Sequence, residues 1–599
     1  MEKARTTTIT FCGVFIAFIL FIVLSVVAVR ATVGANVNLS KLTGYQGEAT
    51  IAIDPTNTNR MFAASNIGSG NGMFAAYSTD GGTTWAYTDA TDKTIGDGDA
   101  DNVPLACCDP IAIFDQFGNL YLAYLSSGSA VRVVVSTNGG QSFSGTNFAG
   151  EEFGNFPVPG NKDNPLAELE RKGGGYKEEG EDVINQSGDQ PTIAVGPSFF
   201  AGEASVYVSW NGGGVIRVAG TRASGLGAIT PFVNTFIATP VVGNYGDIEV
   251  GPIGQVLVTA QVDTGSQSPT TINVSLDPDG LGPANFNQQT AIPINQKPFY
   301  MSSIENFGAA VLVTSTNVGG FDFIPAQPNR SVDAEADLSW DKTGGAFNGR
   351  VYLAYTDETV NENNDTDIRL RYSDNNGATW TAPLRVNDDA TTRSQFLPRI
   401  EVDQTTGSVA VAFYDCRNDA SGTDGTANTE AQVFGAVSFN GGVSFLANEL
   451  ISAGSSRSQS FANGNDYGDY NGLAFRGGKY FYIWSDNSNS TADNPNGTRT
   501  SPDIYTAKVT VAPVLAANVS ISGRVLTADG NGIRNAIVSL TDTNGVSRTI
   551  RTSSFGYYSF EDVEAGGTYI VSVQSKRFQF TPQVVSIGEN IEELNFIAQ

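Results

Sequence analysis

An eight-residue phrase returns four times along the 599-residue chain: STDGGTTW (Ser78 to Trp85), STNGGQSF (Ser136 to Phe143), SDNNGATW (Ser373 to Trp380) and SFNGGVSF (Ser438 to Phe445). Each copy has Ser, then Asp or Asn two residues on, Gly two further, and an aromatic three beyond that. The chemistry is local. The Asp or Asn oxygen caps a tight turn, Gly takes a backbone conformation with positive φ, and the aromatic pins the turn to a sheet. A turn rebuilt in this way at several places means a repeat architecture. A chain of this length also exceeds one ordinary core, so at least two domains are expected.

Reading outward from the four turns, a looser repeat appears. An acidic or polar residue opens an apolar strand, a turn follows, and an aromatic-rich strand ends in small or polar residues. The openings are at Glu48, Asp109, Asp189, Asp247, Asp337, Pro398 and Asp469, and the second strands include Leu120-Tyr-Leu-Ala-Tyr-Leu and Tyr480-Phe-Tyr-Ile-Trp. Such runs fit strands covered on both faces. The phrase resembles the Asp-box, or BNR repeat, of the sialidase-like β-propellers. That resemblance implies an all-β propeller of six or seven blades, with the boxes as structural turns on outer strands, away from the ligand face. Trp85, Phe143, Trp380 and Phe445 are therefore expected far from the central channel.

The run Ile9 to Val29, preceded by Lys3 and Arg5, reads as a signal peptide or membrane anchor over 1–31. The propeller follows over 32–511, with an insertion at about 144–186 and a decorated connection from Ile292 to Arg330. A Pro- and Ala-containing linker occupies 512–517. Residues 518–599 hold ISGRV, NAIVSL and TSSFGYYSFEDVEAGGTYIVSV, alternating strands separated by Asp-Gly and Asn-Gly turns. Their order resembles the carboxypeptidase regulatory-like, transthyretin-type β-sandwich, an accessory module of extracellular proteins. The protein is accordingly expected to be a secreted or cell-envelope bacterial monomer that meets an extracellular glycan or cell-surface component.

Composition then prunes the chemistry. The net charge of −27, which falls almost wholly between residues 32 and 511, excludes nucleic acid as a partner. There is no His, which removes Ser-His-Asp and Cys-His catalysis and His-ligated zinc. Cys107, Cys108 and Cys416 allow at most one intrachain disulfide, and their placement in blades two and six puts Cys416 too far from the other two for a bridge.

In a propeller of this kind, loops entering the innermost strand and loops leaving the second strand share one face. Entering strands bring Glu48, Asp109, Asp189, Asp247, Asp337, Arg399 and Asp469; leaving strands bring Asn66, Ser126, Asn211, Asp263, Asp357, Asp415, Arg417 and Asp486. The candidate catalytic carboxylates are Asp109, Asp189, Asp415 and Asp469, as general acid and base on a neutral glycan. Arg399, Arg417, Tyr470 and Trp484 are the candidate ligand-binding residues, and Tyr355 and Tyr414 lie at neighbouring strand ends. Alternatively, Asp109, Asp469 and Asp486 supply a hard-oxygen cage for Ca²⁺ in a non-catalytic binding protein. The family resemblance implies a third reading, an exo-sialidase with three arginines on the substrate carboxylate and a Tyr–Glu nucleophile. Only Arg399 and Arg417 fall on the ligand face, and no Glu is identifiable beside Tyr467 or Tyr470. An acidic ring without an arginine clamp repels an anionic sugar.

Overall fold

The computed structural model describes residues 31–511 and 519–599, except 69–70, 100, 128, 144–187, 213, 231, 233–236, 263–266, 283–306, 362, 421–425, 462–463, 543–545, 564–567 and 587–589. The proposed leader over 1–31, apart from Ala31, lies outside the described residues. The insertion at 144–186, Asp263 and the linker over 512–517 also lie outside them. The chain divides into one unit over Ala31–Pro513 and a second that contains Val514–Gln599. No helix among the described residues is long and apolar enough to cross a membrane.

The first unit is a ring of seven sheets. Their innermost strands are Gln46–Ile53, Ala106–Phe114, Asp189–Pro197, Asn244–Val250, Asp337–Trp340, Gln395–Val402 and Gly472–Arg476, defining blades 1 to 7. Each innermost strand packs against the next, and that of blade 7 returns to that of blade 1, so the ring closes on a central channel. The choice between six and seven blades is therefore settled at seven. Closure comes from the chain's own start. Ala31–Val33 and Val37–Asn38 pair with Asp503–Val511 as the outermost part of blade 7, with Ala31 opposite Val511 and Val37 opposite Thr506. Second strands such as Leu120–Ser126 are buried along their whole length because a neighbouring blade covers each face.

The four repeated turns share one geometry. Ser78, Ser136, Ser373 and Ser438 each accept, through Oγ, the backbone N–H of Gly82, Gly140, Gly377 and Gly442 at 2.9 Å. The Asp or Asn Oδ1 accepts the N–H four residues on, as Asp80 does from Thr84 at 2.8 Å and Asn440 from Ser444 at 3.0 Å. The glycine is needed twice over. Gly140 sits at φ 87°, and a Cβ there would come within 2.2 Å of Phe62 on the preceding blade. Gly82, Gly377 and Gly442 face Phe481, Leu257 and Tyr352 of their preceding blades in the same way. Phe143 is buried against Phe62 edge to face at 5.6 Å, whereas Trp85, Trp380 and Phe445 are half-buried. None of the four aromatics lines the channel cavity.

Cys107 and Cys108 form a disulfide with each other, their Cα atoms 3.7 Å apart, and Cys416 is buried and free. Cys416 thus stays unbridged as its placement in blade 6 implies, and the adjacent residues pair with each other.

The second unit, taken by itself, is a two-sheet sandwich. Val519–Leu526 pairs with Tyr557–Val563 and, in parallel, with Phe596–Ile597. The facing sheet runs Ser547–Arg551, Ile537–Asp542, Thr568–Gln574, Gln583–Ser586. Ile521, Val538, Leu540, Phe560, Val571 and Phe596 fill the space between them.

Candidate functional site at the channel mouth

The innermost strands meet the channel in a way that the sequence does not announce. Glu48, Asp109, Gln190, Tyr245 and Leu397 all have φ between 45° and 58°, and each sits at a register break with the neighbouring strand. Glu335, with φ 41°, holds the corresponding place before the paired part of blade 5. Each is a β-bulge with a non-glycine residue in the left-handed region, which costs on the order of 1 kcal/mol and turns one side chain inward. Asp109, Gln190 and Leu397 are followed by Pro, which has no N–H to leave unpaired at a bulge. Beyond the bulge, alternate residues of a strand share one face. The channel is thus built in tiers: Tyr245, Asp247 and Glu249 in blade 4; Glu335 and Asp337 in blade 5; Leu397, Arg399 and Glu401 in blade 6.

The top tier is the acidic mouth. Asn66 donates to the Glu48 carboxylate and, at 3.4 Å, to Asp109 Oδ1, while its own Oδ1 accepts the Asp109 N–H at 2.6 Å. The Gln190 N–H donates to Asp109 Oδ2 at 3.2 Å, and the Gln190 amide donates to Asp469 at 3.3 Å. Burial pushes the Asp109 carboxyl up to about 7, aided by the charges of Asp189 and Asp469. Burial likewise holds Glu48, Asp333 and Glu335 well above the usual carboxylate range, and partial desolvation together with the charge of Asp469 raises the more exposed Asp189. The counter-charge is Arg330, a residue absent from the sequence inventory. It grips Asp469 with two donors, one at 2.6 Å, and lies 3.6 Å from Glu48. Arg330 comes from the hairpin Asp322–Ile324 and Gln327–Val332, inside the region read as a decorated connection. This hairpin reaches blade 7, where the Asp466 carboxylate accepts the N–H groups of Asn329 and Arg330 at 2.7 and 2.9 Å. No local pattern in the sequence marks that pairing, which spans more than 130 residues.

The second tier is neutralised internally. Arg399 donates to Asp337 at 2.7 Å and to the Asn471 carbonyl at 2.6 Å, and Asp337 also takes the Ile400 N–H. Asp247 accepts the Leu338 N–H at 2.8 Å and is pushed well above its ordinary value by burial and then by the charge of Asp337. In the third tier Lys342 donates to Glu249 at 2.7 Å, beside a half-buried Glu401. A cavity of about 490 Å³ runs through these two tiers.

Of the sequence candidates, Asp109, Asp189 and Asp469 come together at the mouth, and Tyr470 joins them. It is 6% exposed, its hydroxyl has no hydrogen-bond partner among the described residues, and Arg399 lies 5.5 Å from the ring centre. Asp415, Arg417, Asp486 and Trp484 do not join them. Asp415 and Asp486 end second strands, one strand farther from the axis, and each is consumed in its own blade. Asp415 takes the Arg417 N–H and Nε at 2.7 Å, and Arg417 continues to Asp388 and Asn448. Asp486 takes the Trp484 indole at 3.2 Å and the Ser488 N–H at 2.5 Å. Trp484 is 1% exposed between Tyr482 and Tyr505, and Tyr355 and Tyr414 are equally core residues. The triad Asp109, Asp469 and Asp486 therefore does not form a Ca²⁺ cage: Asp486 is elsewhere, and a guanidinium already occupies Asp469. A different acidic group is closely spaced, Asp97, Asp99 and Asp101 together with Asp89 and Asp92, but Asp92 and Asp99 are exposed, the other three are half-buried, and these carboxylates cap turns of their own segment.

Fold and site together define a seven-bladed β-propeller with a carboxyl cluster at its channel mouth, joined to a small sandwich. Residues 520–597 match the model of the carboxypeptidase regulatory-like domain. No curated protein matches the chain. Among solved structures, a polysaccharide lyase is similar at 10% identity and TM-score 0.39, over 80% of this chain and 100% of that one. An α-L-arabinanase of Penicillium chrysogenum is similar at 11% and 0.36, over 81% and 100%. A protein of unknown function from Dyadobacter fermentans is similar at 9% and 0.38, over 80% and 99%. The propeller assignment stands on the closed ring of seven sheets itself.

Proposed function

We propose that this is an exported glycan-active propeller whose channel mouth carries a general acid–base pair, Asp109 and Asp469, for hydrolysis of a neutral polysaccharide. The observation that carries this reading is the opposite treatment of two neighbouring carboxyls. Asp109 is buried without a cation of its own and keeps its proton toward neutral pH, whereas Asp469 is clamped by Arg330. A buried carboxyl with no cation, set beside a second one paired to an arginine, gives the unlike environments that acid–base cleavage of a glycosidic bond uses. Asp109 gives its proton to the leaving oxygen, and Asp469 takes one from the attacking water, so that one water is consumed and one hydroxyl appears on each product. Arg330, Arg399 and Arg417 are each paired with carboxylates, so none of the three offers an open clamp for a sialic acid carboxylate.

A second reading has one observation in its favour: both oxygens of Asp469 are occupied by Arg330, which fits a binding protein better than a base. Reducing-end release from neutral oligosaccharides separates the two. For hydrolysis, wild type shows turnover, Asp109→Asn lowers it by about 10²-fold or more, and glycan binding survives. Binding with no turnover in either protein selects the non-catalytic reading, and hydrolysis unchanged in Asp109→Asn removes the proposed pair.

A further inference from the structure

The hairpin that carries Arg330 has a second side. Its inward residues Ile324, Ala326 and Val332 are buried with Leu397, Phe396 and Tyr467 of blades 6 and 7. Its outward residues include two aromatic rings, Phe321 at 44% and Phe323 at 45% exposure, besides Pro328, Asn329 and Arg330. Phe321 meets Tyr245 edge to face, with ring centres 6.5 Å apart. The Tyr245 hydroxyl donates to the Gly320 carbonyl at 3.1 Å, which holds its ring against the base of the hairpin. Tyr245 is the bulge residue of blade 4, the place that Glu48 and Asp109 hold in blades 1 and 2. The aromatic patch is thus continuous with the acidic mouth, while the residues from the same hairpin that could have buried apolar surface have done so elsewhere.

We propose that Tyr245, Phe321 and Phe323 form a stacking subsite at the rim of the mouth, which seats the C–H face of a neutral pyranose one residue along the glycan from the linkage at Asp109. The proposal rests on the glycan reading above and adds where the sugar is held and of what charge. A pyranose has an apolar face that matches an aromatic ring and a hydroxylated edge that matches amides and carboxylates. The rim supplies the rings, and the exposed carboxyl of Asp189 supplies an edge partner. Uronic and sialic acids do not suit it, since among the described residues the cation of the top tier, Arg330, is already held by both oxygens of Asp469 and leaves no open partner for a sugar carboxylate. The aromatics that the sequence places at strand ends, Trp484, Tyr355 and Tyr414, are core residues and unavailable.

The test is calorimetric titration of the full chain carrying Asp109→Asn with gluco-, manno-, xylo- and arabino-oligosaccharides, and with oligogalacturonate as the anionic control. Phe323→Ala, and separately Phe321→Ala, are expected to weaken the neutral ligand about tenfold each, with the melting temperature unchanged for Phe323→Ala and restored affinity for Phe321→Trp. Neutral-glycan affinity unaltered in both alanine variants overturns the subsite and leaves the glycan reading standing. Tighter binding of oligogalacturonate overturns the neutral assignment. No binding of any glycan by Asp109→Asn and by wild type overturns the glycan reading, and the subsite with it.

Discussion

Asp109 shows how a single side chain acquires an unusual charge state. Its φ of 58° places it in a conformation that non-glycine residues rarely adopt, and the bulge that results turns the carboxyl from the blade into the channel. There it meets Asn66 and a backbone N–H and no cation, so burial dominates and the group titrates at about 7 instead of 3.8. The native chain then holds a proton between those values that the unfolded chain has released. The stability this contributes is full below pH 3.8 and is lost as pH rises toward 7, at no more than about 1.4 kcal/mol per pH unit. Asp109→Asn should therefore gain stability relative to wild type on going from pH 4 to pH 7, as read by urea midpoints at both values; a constant difference would mean that Asp109 is ionised throughout. Arg330→Gln should act in the opposite sense. It leaves Asp469 and Glu48 without their counter-charge and should lower stability by about 1–2 kcal/mol, a modest figure because Arg330 itself is partly solvated.

Among elements, the repeated turn is a spacer between blades as much as a cap within one. The glycine four residues after its serine lies against the second strand of the preceding blade, and its aromatic covers the join. Gly140→Ala adds both an unfavourable positive φ and a clash with Phe62, and should cost several kcal/mol. Phe143→Ala should cost about 3–5 kcal/mol, whereas Trp380→Ala, half-buried, should cost less. All three should leave glycan affinity intact in calorimetry, because these turns lie outside the channel. The hairpin over 322–332 is the contrasting element. It contributes no strand to a blade, but it carries the arginine that pairs with Asp469 and the exposed Phe323, with the exposed Phe321 just before it.

For the whole molecule, stability depends on joining the two ends of the propeller chain. The strands Ala31–Val33 and Val37–Asn38 complete blade 7, and without them Asp503–Val511 becomes an open edge facing solvent. A chain beginning at residue 40 should melt well below one beginning at residue 31 and should aggregate on heating; equal melting temperatures would show that the ring closes without this strand. The thiols report on the same architecture. Maleimide labelling of the denatured, unreduced protein should leave Cys107 and Cys108 unlabelled and mark Cys416, since blades 2 and 6 keep the third cysteine away from the adjacent pair.

The propeller was legible because its signals are local and repeated. The Ser-x-Asp-x-Gly turn is specified by hydrogen bonds within five residues, and the doubly covered strands announce themselves as unbroken apolar runs. The sandwich was legible for the same reason, through alternation and Asn-Gly turns. The acids that open the inner strands could also be read, and Asp109, Asp189 and Asp469 do meet at the mouth. What sequence could not rank was depth. Asp415 and Asp486 carry the same letters as Asp109 but stand one strand farther from the axis, and a two-residue offset separates the tier of Glu335 from that of Asp337. Those distances follow from bulges at Glu48, Asp109, Gln190, Tyr245 and Leu397, where non-glycine residues adopt positive φ only because two neighbouring blades hold them there. The arginine that sets the charge of the site, and the aromatic rim beside it, arrive on a hairpin that has no repeat to betray it. Only the closed ring brings residue 330 to residue 469, because the chain must pass through two further blades before it returns to the mouth.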